Sequence, residues 1–297
     1  MWLMNLYFSW WLRPGATRSI TVGGTTRSYI VHVPKGHDQQ SPMPVVLALH
    51  GATMNGAMMA WFSDLNRKAD EAGFVVVYPN GTGSRSSLFW NGANRCGSAM
   101  QEKVDDVAFV SALLDDLKRA FPVDARRVYA TGMSNGAIMA YRLASELSDR
   151  IVAIAPVAGA VGTENNQPKR PVPVLHFHGT KDEYIPFLGG RGEKSITGTH
   201  FCSVDHSIQT WVKLNGCDES PRTELLSKSG DEMTVTRKTY ASGKDGSEVT
   251  LVVIEGGGHT WPGRKSPAAT LGKSATNVSA NDLMWEFFQK HELKSKP

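Results

Sequence analysis

A short segment near the middle of the chain constrains the fold most strongly. Residues 128–136, VYATGMSNG, run from β-branched and aromatic residues into the sequence GMSNG at 132–136. This is the G-x-S-x-G pattern, which presents a serine at a sharp corner between a strand and a helix. Glycine suits both flanking positions because a side chain there would crowd the turn or the neighbouring chain. The segment therefore predicts a strand–turn–helix unit with Ser134 exposed at its corner.

The rest of the chain alternates strand patterns with helix patterns. A β-hairpin is predicted from 19–22 and 27–33, joined across Gly23-Gly24. The later predicted strands are 45–49, 74–78, 128–131, 151–157, 172–177, 233–240 and 248–255, and the predicted helices are 61–72, 105–120, 135–147, 204–214 and 282–290. Such alternation implies right-handed crossovers and a mostly parallel central sheet with helices on both faces. The fold class we expect is α/β, with an antiparallel hairpin that opens the sheet.

Length and composition fit one catalytic domain. The chain has 297 residues, of which 41% are hydrophobic and 20% charged, as in ordinary globular enzymes. We expect a single α/β domain over residues 17–291 and a polar tail over 292–297. Residues 1–12, MWLMNLYFSWWL, are apolar but lack the preceding basic residues and the following cleavage site of a secretory signal. The role of segment 1–16 and the localisation, exported or cytoplasmic, therefore stay open.

Charge and cysteine content argue against several kinds of partner. The net charge of +4 comes from interspersed Lys and Arg without a dense basic run, so no nucleic-acid partner is expected. No apolar stretch reaches the length of a membrane span. Cys96, Cys202 and Cys217 form no C-x-x-C or metal-like cluster with histidine. We expect no metal and no cofactor, and the pairing of the cysteines stays open.

Three polar residues follow predicted strands, where active sites of open parallel sheets collect. Ser134 follows the strand at 128–131. Asp182 ends the sequence HGTKD, which follows the strand at 172–177, and His259 lies in GGGHTWP after the strand at 248–255. The order Ser…Asp…His along the chain is that of α/β-hydrolases.

These three residues have the chemistry of a catalytic triad. We expect His259 to take the proton of Ser134 as general base, while Asp182 fixes the imidazole tautomer and stabilises the imidazolium. The oxyanion hole requires two backbone N–H groups. One is expected from Asn135, the residue after the nucleophile, and the second from Ala52 in the loop after the strand at 45–49, with Thr53 as the alternative.

Other histidines and aspartates have simpler structural explanations. The rival bases are His200 and His206, neither of which directly follows a predicted strand. His50 and His178 lie at strand ends and are expected to be hydrogen-bonded near the site. The remaining acidic candidates are interpreted as helix-start or turn residues: Asp105, Asp106 and Asp124.

Four aromatic residues come from loops on the same rim: Phe89, Trp90, Tyr184 and Trp261. Their functional interpretation is an aromatic cleft that binds an apolar or ring-bearing acyl group. The alternative is ordinary loop packing.

Taken together, these segments resemble a bacterial esterase family that includes polyhydroxybutyrate depolymerases and the LpqC-like esterases, related to feruloyl and acetylxylan esterases. The stretches that carry the resemblance are RSYIVHVP (27–34), VVLALHG (45–51), GFVVVYPNG (73–81), VDDVAF (104–109), RVYATGMSNG (127–136), PVLHFHGTKD (173–182) and GGGHTWPG (256–263). The resemblance implies the α/β-hydrolase fold and a triad of Ser134, Asp182 and His259, in agreement with the assignment from the residues. Relatives of this kind are often exported.

The function expected from the sequence is that of a serine carboxylic-ester hydrolase. It would act through an acyl-enzyme intermediate on polyhydroxyalkanoate-type or short-chain esters, so its partner would be a small-molecule or polymer ester. The alternative is a feruloyl or acetylxylan esterase that acts on plant cell-wall esters. A peptidase and a non-catalytic hydrolase-like binding protein are weaker alternatives, and the oligomeric state stays open.

Overall fold

The computed structural model describes residues 16–36, 41–84, 87–93, 98–227 and 233–294. The apolar segment 1–12 and Cys96 lie outside the described residues. Cys202 and Cys217 are free thiols. No helix in the described ranges is long and apolar enough to cross a membrane.

A mixed sheet forms the centre of the molecule. Its described strands are β1 Ala16–Val22, β2 Thr25–His32, β3 Met43–Leu49, β4 Val75–Pro79, β7 Val123–Met133, β8 Ala153–Val157, β9 Val174–Gly179, β10 Arg222–Ser227, β11 Val235–Tyr240 and β12 Val249–Ile254. Their order across the sheet is β1-β2-β4-β3-β7-β8-β9-β12-β11-β10. The six strands from β4 to β12 are parallel, and antiparallel strands extend the sheet at both edges. The predicted fold class, including the N-terminal hairpin, is confirmed.

The central strands are buried on both faces. Along β3, Val45, Leu47 and Leu49 belong to one hydrophobic cluster, whereas Val46 and Ala48 belong to another. Successive side chains of a strand point to opposite faces, so these two clusters are the cores above and below the sheet. This explains why the run at 45–49 is continuously apolar instead of alternating.

Helices cover both faces of the sheet. The described helices are α1 Gly56–Ser63, α2 Leu65–Ala72, α3 Ser98–Gln101, α4 Asp106–Ala120, α5 Asn135–Glu146, α6 Val204–Asn215 and α7 Ala280–Phe288. Side chains from α4, α5 and α6 fill one core, and those from α1, α2 and α7 fill the other.

Three local predictions differ from the structure. The single helix expected at 61–72 is two helices, because Asp64 adopts a left-handed conformation (φ 55°) that an aspartate tolerates. The loop expected at 81–103 contains a small hairpin, β5 Thr82–Ser84 and β6 Ser87–Phe89. The edge strand β10 was not predicted, because its sequence RTELLS is polar and largely exposed, without an alternating apolar face.

A buried ion pair joins the N-terminal hairpin to α4. Arg27 of β2 donates to the Asp106 carboxylate at 2.7 Å and to the Asn80 carbonyl at 3.0 Å. Its guanidinium carbon also lies 4.1 Å from the centroid of the Phe109 ring. Asp106 is fully buried and accepts a second bond from Asn91 N at 2.7 Å. The pair therefore fixes the loop that carries residues 90 and 91.

Loss of Arg27 should destabilise the fold strongly. We expect Arg27→Met to lower the free energy of unfolding by about 3–5 kcal/mol, because it leaves the Asp106 carboxylate buried without its cation. Arg119→Met is the control, since it removes an exposed ion pair with Asp116 and should cost less than about 1 kcal/mol. Urea denaturation measures the free energy of unfolding of both variants. Equally small losses of stability in Arg27→Met and Arg119→Met would contradict the importance of the buried ion pair.

Candidate active site

Ser134 occupies the corner between β7 and α5. Met133 is the last residue of the strand and Asn135 the first of the helix. The backbone of Ser134 has φ 57° and ψ −117°, a conformation that is strained for a residue with a side chain. Its N–H donates to the carbonyl of Val157 in the neighbouring strand at 3.0 Å. The predicted strand–turn–helix corner is confirmed, with Ser134 at its tip and partly exposed.

The two glycines of the corner permit very close backbone packing. A Cβ atom on Gly136 would lie 2.2 Å from the Leu49 carbonyl oxygen and 2.6 Å from that of His50. A Cβ atom on Gly132 would lie 2.6 Å from the carbonyl of Gly136. The start of α5 therefore presses directly against the end of β3, which only glycine allows.

Asp182 and His259 form a buried hydrogen-bonded pair. His259 Nδ1 donates to Asp182 Oδ2 at 2.8 Å, and both residues are less than 7% exposed. Asp182 follows β9 and His259 follows β12, and these strands pair in parallel, with Gly179 opposite Ile254. The bond fixes the proton on Nδ1 and leaves Nε2 of the neutral ring as an acceptor.

The Asp182 carboxylate is held by several donors. Its Oδ1 accepts from the backbone N–H groups of Tyr184 and Ile185, both at 2.9 Å. Burial alone would raise the pKa of Asp182, but His259, His178 and the Ile185 N–H outweigh it and hold the pKa below its usual range. The group is therefore an anion in the working pH range, as a partner of an imidazolium must be.

A chain of buried neutral side chains lies behind Asp182. His178 Nε2 lies 2.9 Å from the Ile185 carbonyl, which can only accept a hydrogen bond, so this nitrogen carries the proton. His178 Nδ1 is therefore an acceptor, and His176 Nε2 donates to it at 3.0 Å. Tyr141 OH then donates to His176 Nδ1 at 2.8 Å. Burial lowers the pKa of both histidines. Sequence reasoning placed His178 near the site but missed His176 and Tyr141, although the spacing H-x-H in β9 puts both rings on one face of the strand.

The loop after β3 passes beside the serine. A Cβ atom on Gly51 would lie 3.6 Å from the Cβ of Ser134. Thr53 N donates to the Leu88 carbonyl at 2.9 Å, so this N–H is not available to a ligand. Within the described ranges Ala52 N donates to no acceptor. The geometry thus favours Ala52 over Thr53 as the second oxyanion donor.

In the described part of the chain the Ser134 hydroxyl makes no hydrogen bond, so the structure does not pair it with His259. The rival bases, His200 and His206, are exposed and have no hydrogen-bonded carboxylate among the described residues. The structural interpretation of the other acids is confirmed. Asp105 accepts from Ala108 N as the cap of α4, Asp106 pairs with Arg27, and Asp124 binds Arg126 N and Arg127.

Two of the four aromatic predictions are wrong. Trp90 and Trp261 are 0% and 1% exposed and belong to the hydrophobic cores, so they cannot line an open cleft. Each instead uses its indole N–H inside the protein, Trp90 toward the His50 carbonyl and Trp261 toward Asn281. Tyr184 is partly exposed and stacks on the His259 ring with centroids 4.8 Å apart. Phe89 is also partly exposed.

The described residues hold no group of three or more His, Cys, Asp or Glu side chains with the spacing of a metal site. Ser134, Asp182 and His259 each follow the carboxyl end of a strand in the parallel part of one sheet, and the loop with the Ala52 N–H follows a fourth such strand. This arrangement suits acyl transfer at a serine.

Comparison with known proteins assigns the chain to a family. The family model described as Esterase PHB depolymerase matches residues 27–183, which is more than half of the chain. The chain belongs to the esterase PHB depolymerase family. The matched residues include Ser134 and Asp182. The membership assigns carboxylic-ester hydrolysis to this chain.

Individual relatives agree with this family. The chain is 31% identical over 285 residues to "Putative esterase NocK" of Nocardia uniformis subsp. tsuyamanensis, covering 91% of this chain and 81% of that protein. It is 28% identical over 242 residues to "Feruloyl esterase B" of Piromyces equi, covering 78% of this chain but 42% of that longer protein. The fold is similar to that of the acetyl xylan esterase from Aspergillus awamori, with TM-score 0.61, 16% identity and coverage of 93% and 99%.

Acid titration should reveal the buried neutral His50, which anchors the loop before Ala52. Gly81 N donates to its Nε2 at 2.9 Å, so its Nδ1 donates to the Gly51 carbonyl at 2.8 Å. Burial lowers the pKa of His50 from 6.5 to about 4. As the pH falls, His50 is therefore protonated in the unfolded chain before it is protonated in the folded protein. The contribution of neutral His50 to the free energy of unfolding is complete above pH 6.5 and is lost as the pH falls toward 4.

We expect His50→Gln, whose amide can make both bonds, to remove this pH dependence. The unfolding free energy of the wild type should fall by about 3 kcal/mol relative to that of the variant from neutral pH to about pH 4. Denaturant titrations at each pH measure it. A difference that stays constant with pH would show that His50 is not kept neutral by burial.

Proposed function

We propose that the chain hydrolyses carboxylic esters through a triad of Ser134, His259 and Asp182. His259 Nε2 removes the proton of Ser134 as its oxygen attacks the ester carbonyl carbon, and the C–O π electrons move onto the carbonyl oxygen. Asp182 keeps the imidazole oriented and balances the charge of the imidazolium. The mechanism requires the Ser134–His259 hydrogen bond in the substrate-bound enzyme, and catalytic hydrogen bonds of this kind often form fully only in the complex.

The negative oxygen of the tetrahedral intermediate is held by the N–H groups of Asn135 and Ala52. Asn135 is the first residue of α5, so its N–H has no acceptor within the helix and lies at the positive end of the helix dipole. The intermediate then expels the alcohol, which receives the proton from His259. Water attacks the acyl-enzyme with His259 again acting as base, and this step releases the acid and restores Ser134.

The observation that carries this proposal is that a strained serine corner and a buried His–Asp pair lie at the same edge of one parallel sheet. Ser134 holds a positive φ at the carboxyl end of β7, and the His259–Asp182 bond lies beyond β9 and β12 in the same parallel sheet. Strain of this kind persists where it serves a site. A purely structural role would require neither the partly exposed serine nor the buried anion.

Replacement of the serine should abolish turnover without loss of the fold. We expect Ser134→Ala to lower kcat on p-nitrophenyl acetate by at least about 10⁴-fold, because the covalent step is lost. Ser19→Ala, at an exposed position in β1, is the matched control and should keep full activity. Thermal unfolding verifies the fold, and substantial turnover by folded Ser134→Ala would refute the assignment.

Among esters, we propose polyhydroxyalkanoate-type or short-chain esters as substrates, with feruloyl or acetylxylan esters as the second candidate. The burial of Trp90 and Trp261 leaves Tyr184 and Phe89 as the partly exposed aromatics of the predicted cleft. A smaller aromatic surface favours a short aliphatic acyl group over a ferulate ring. The second candidate is supported by the similarity to a feruloyl esterase and to the fold of an acetyl xylan esterase.

A substrate panel separates the two candidates. We expect the highest kcat/KM on p-nitrophenyl esters with short acyl chains, hydrolysis of hydroxybutyrate oligomers, and weak turnover of methyl ferulate. Turnover of p-nitrophenyl acetate shows in each preparation that the site is competent. Rapid hydrolysis of methyl ferulate without release of hydroxybutyrate would replace the first candidate with the second.

A further inference from the structure

Trp90 is hydrogen-bonded to both of the elements that carry the proposed oxyanion donors. The residue is fully buried and lies just beyond β6, in the stretch between β4 and α4. Its main chain binds the first residue of α5, and its indole binds the loop after β3. These are the two elements that carry the N–H groups of Asn135 and Ala52.

The first connection is a pair of hydrogen bonds to the Asn135 side chain. Trp90 N donates to Asn135 Oδ1 at 2.7 Å, and Asn135 Nδ2 donates back to the Trp90 carbonyl at 3.1 Å. The carboxamide therefore pairs with the main chain as a neighbouring strand would. Because Asn135 is held at both ends of its amide, the orientation of its own backbone N–H is fixed as well.

The second connection runs from the indole ring. Trp90 Nε1 donates to the His50 carbonyl at 3.0 Å, and the two rings lie 4.9 Å apart between centroids. His50 precedes Gly51 and Ala52 directly, so this bond fixes the start of the loop that carries the second donor. The same His50 carbonyl packs closely against Gly136 of α5. The loop that carries Ala52 and the helix that carries Asn135 therefore meet at this carbonyl.

The segment that carries Trp90 is itself anchored on both sides. On one side Leu88 accepts from Thr53 N at 2.9 Å. On the other side Asn91 donates its N–H to Asp106 and accepts from Arg142 of α5, both at 2.7 Å. Trp90 is thus a rigid link rather than a mobile loop side chain.

We propose that Trp90, through its indole and its pairing with the Asn135 carboxamide, is a positioning residue that sets the spacing of the two oxyanion donors. The inference rests on the proposed function. Two N–H groups stabilise an oxyanion only when both lie within hydrogen-bond distance of one point, and here they come from different elements. A link between these elements therefore acts on the transition state, whereas a residue lining the cleft acts on substrate binding.

Trp90→Phe removes the indole N–H and keeps an aromatic ring in the core. We expect kcat on p-nitrophenyl acetate to fall about 10- to 100-fold while KM changes less than about threefold. The inhibition constant of phenylboronic acid should rise by a similar factor to the fall in kcat, because its tetrahedral serine adduct places an anionic oxygen in the oxyanion hole.

Trp211→Phe is the matched control. Trp211 is also fully buried, but its indole N–H has no acceptor within the described residues, so the substitution removes no hydrogen bond. Both kinetic constants should stay within about threefold of the wild type. A similar kcat for Trp90→Phe and Trp211→Phe would overturn the proposal. A rise in KM of Trp90→Phe without a loss of kcat would also overturn it, because it would indicate that Trp90 contacts the substrate.

Asn135→Ala tests the hydrogen bonds between Trp90 and α5. It provides the decisive test if Trp90→Phe does not fold. It keeps the backbone N–H that binds the oxyanion and removes only the carboxamide. A loss of kcat at unchanged KM supports the link, and an unchanged kcat overturns it. Ser134→Ala in the same assay separates the two proposals. If this variant remains active, the triad is refuted. If it is inactive while Trp90→Phe has wild-type kinetics, only the positioning role of Trp90 is refuted.

Discussion

The close approach of α5 to the end of β3 is the constraint on which the site depends. Gly136 leaves no room for a Cβ atom against the carbonyls of Leu49 and His50. This contact brings the turn at Ser134 beside the loop at Gly51, so the proposed nucleophile and a proposed backbone donor from separate elements share one small region. A side chain at 136 would push the helix away from the strand, and the hydroxyl, the helix N-terminus and the loop would separate.

The second half of the site is built from buried polar groups with fixed roles. One carbonyl, that of Ile185, sets the tautomers of His178 and then of His176, and so determines that Tyr141 is a donor. Because these rings are neutral, His259 is the partner that can carry a positive charge next to Asp182. In the proposed mechanism, the charge that develops on the His259 imidazole during acyl transfer therefore has one defined counter-ion.

The sequence predicts the fold well and singles out the triad candidates, because both depend on local pattern. The apolar run at 45–49, the corner at Ser134 and the polar residues at strand ends are each visible in a few consecutive residues. The role of Trp90 is not visible in this way, since an aromatic residue in a loop suits a cleft and a core equally. Only the tertiary contact with His50 and Asn135 distinguishes them. The break at Asp64 and the polar edge strand β10 were missed for the same reason, because neighbours in space decide their conformation.

Covalent labelling of the wild-type enzyme is a direct test of whether Ser134 is the nucleophile. Reaction with a fluorophosphonate, followed by peptide mapping with mass spectrometry, reports which side chain is the activated nucleophile. We predict a single phosphonyl adduct on Ser134, formed about 10²- to 10⁴-fold more slowly in His259→Gln because the general base is missing. An enzyme that hydrolyses p-nitrophenyl acetate but carries its adduct on another residue would contradict it.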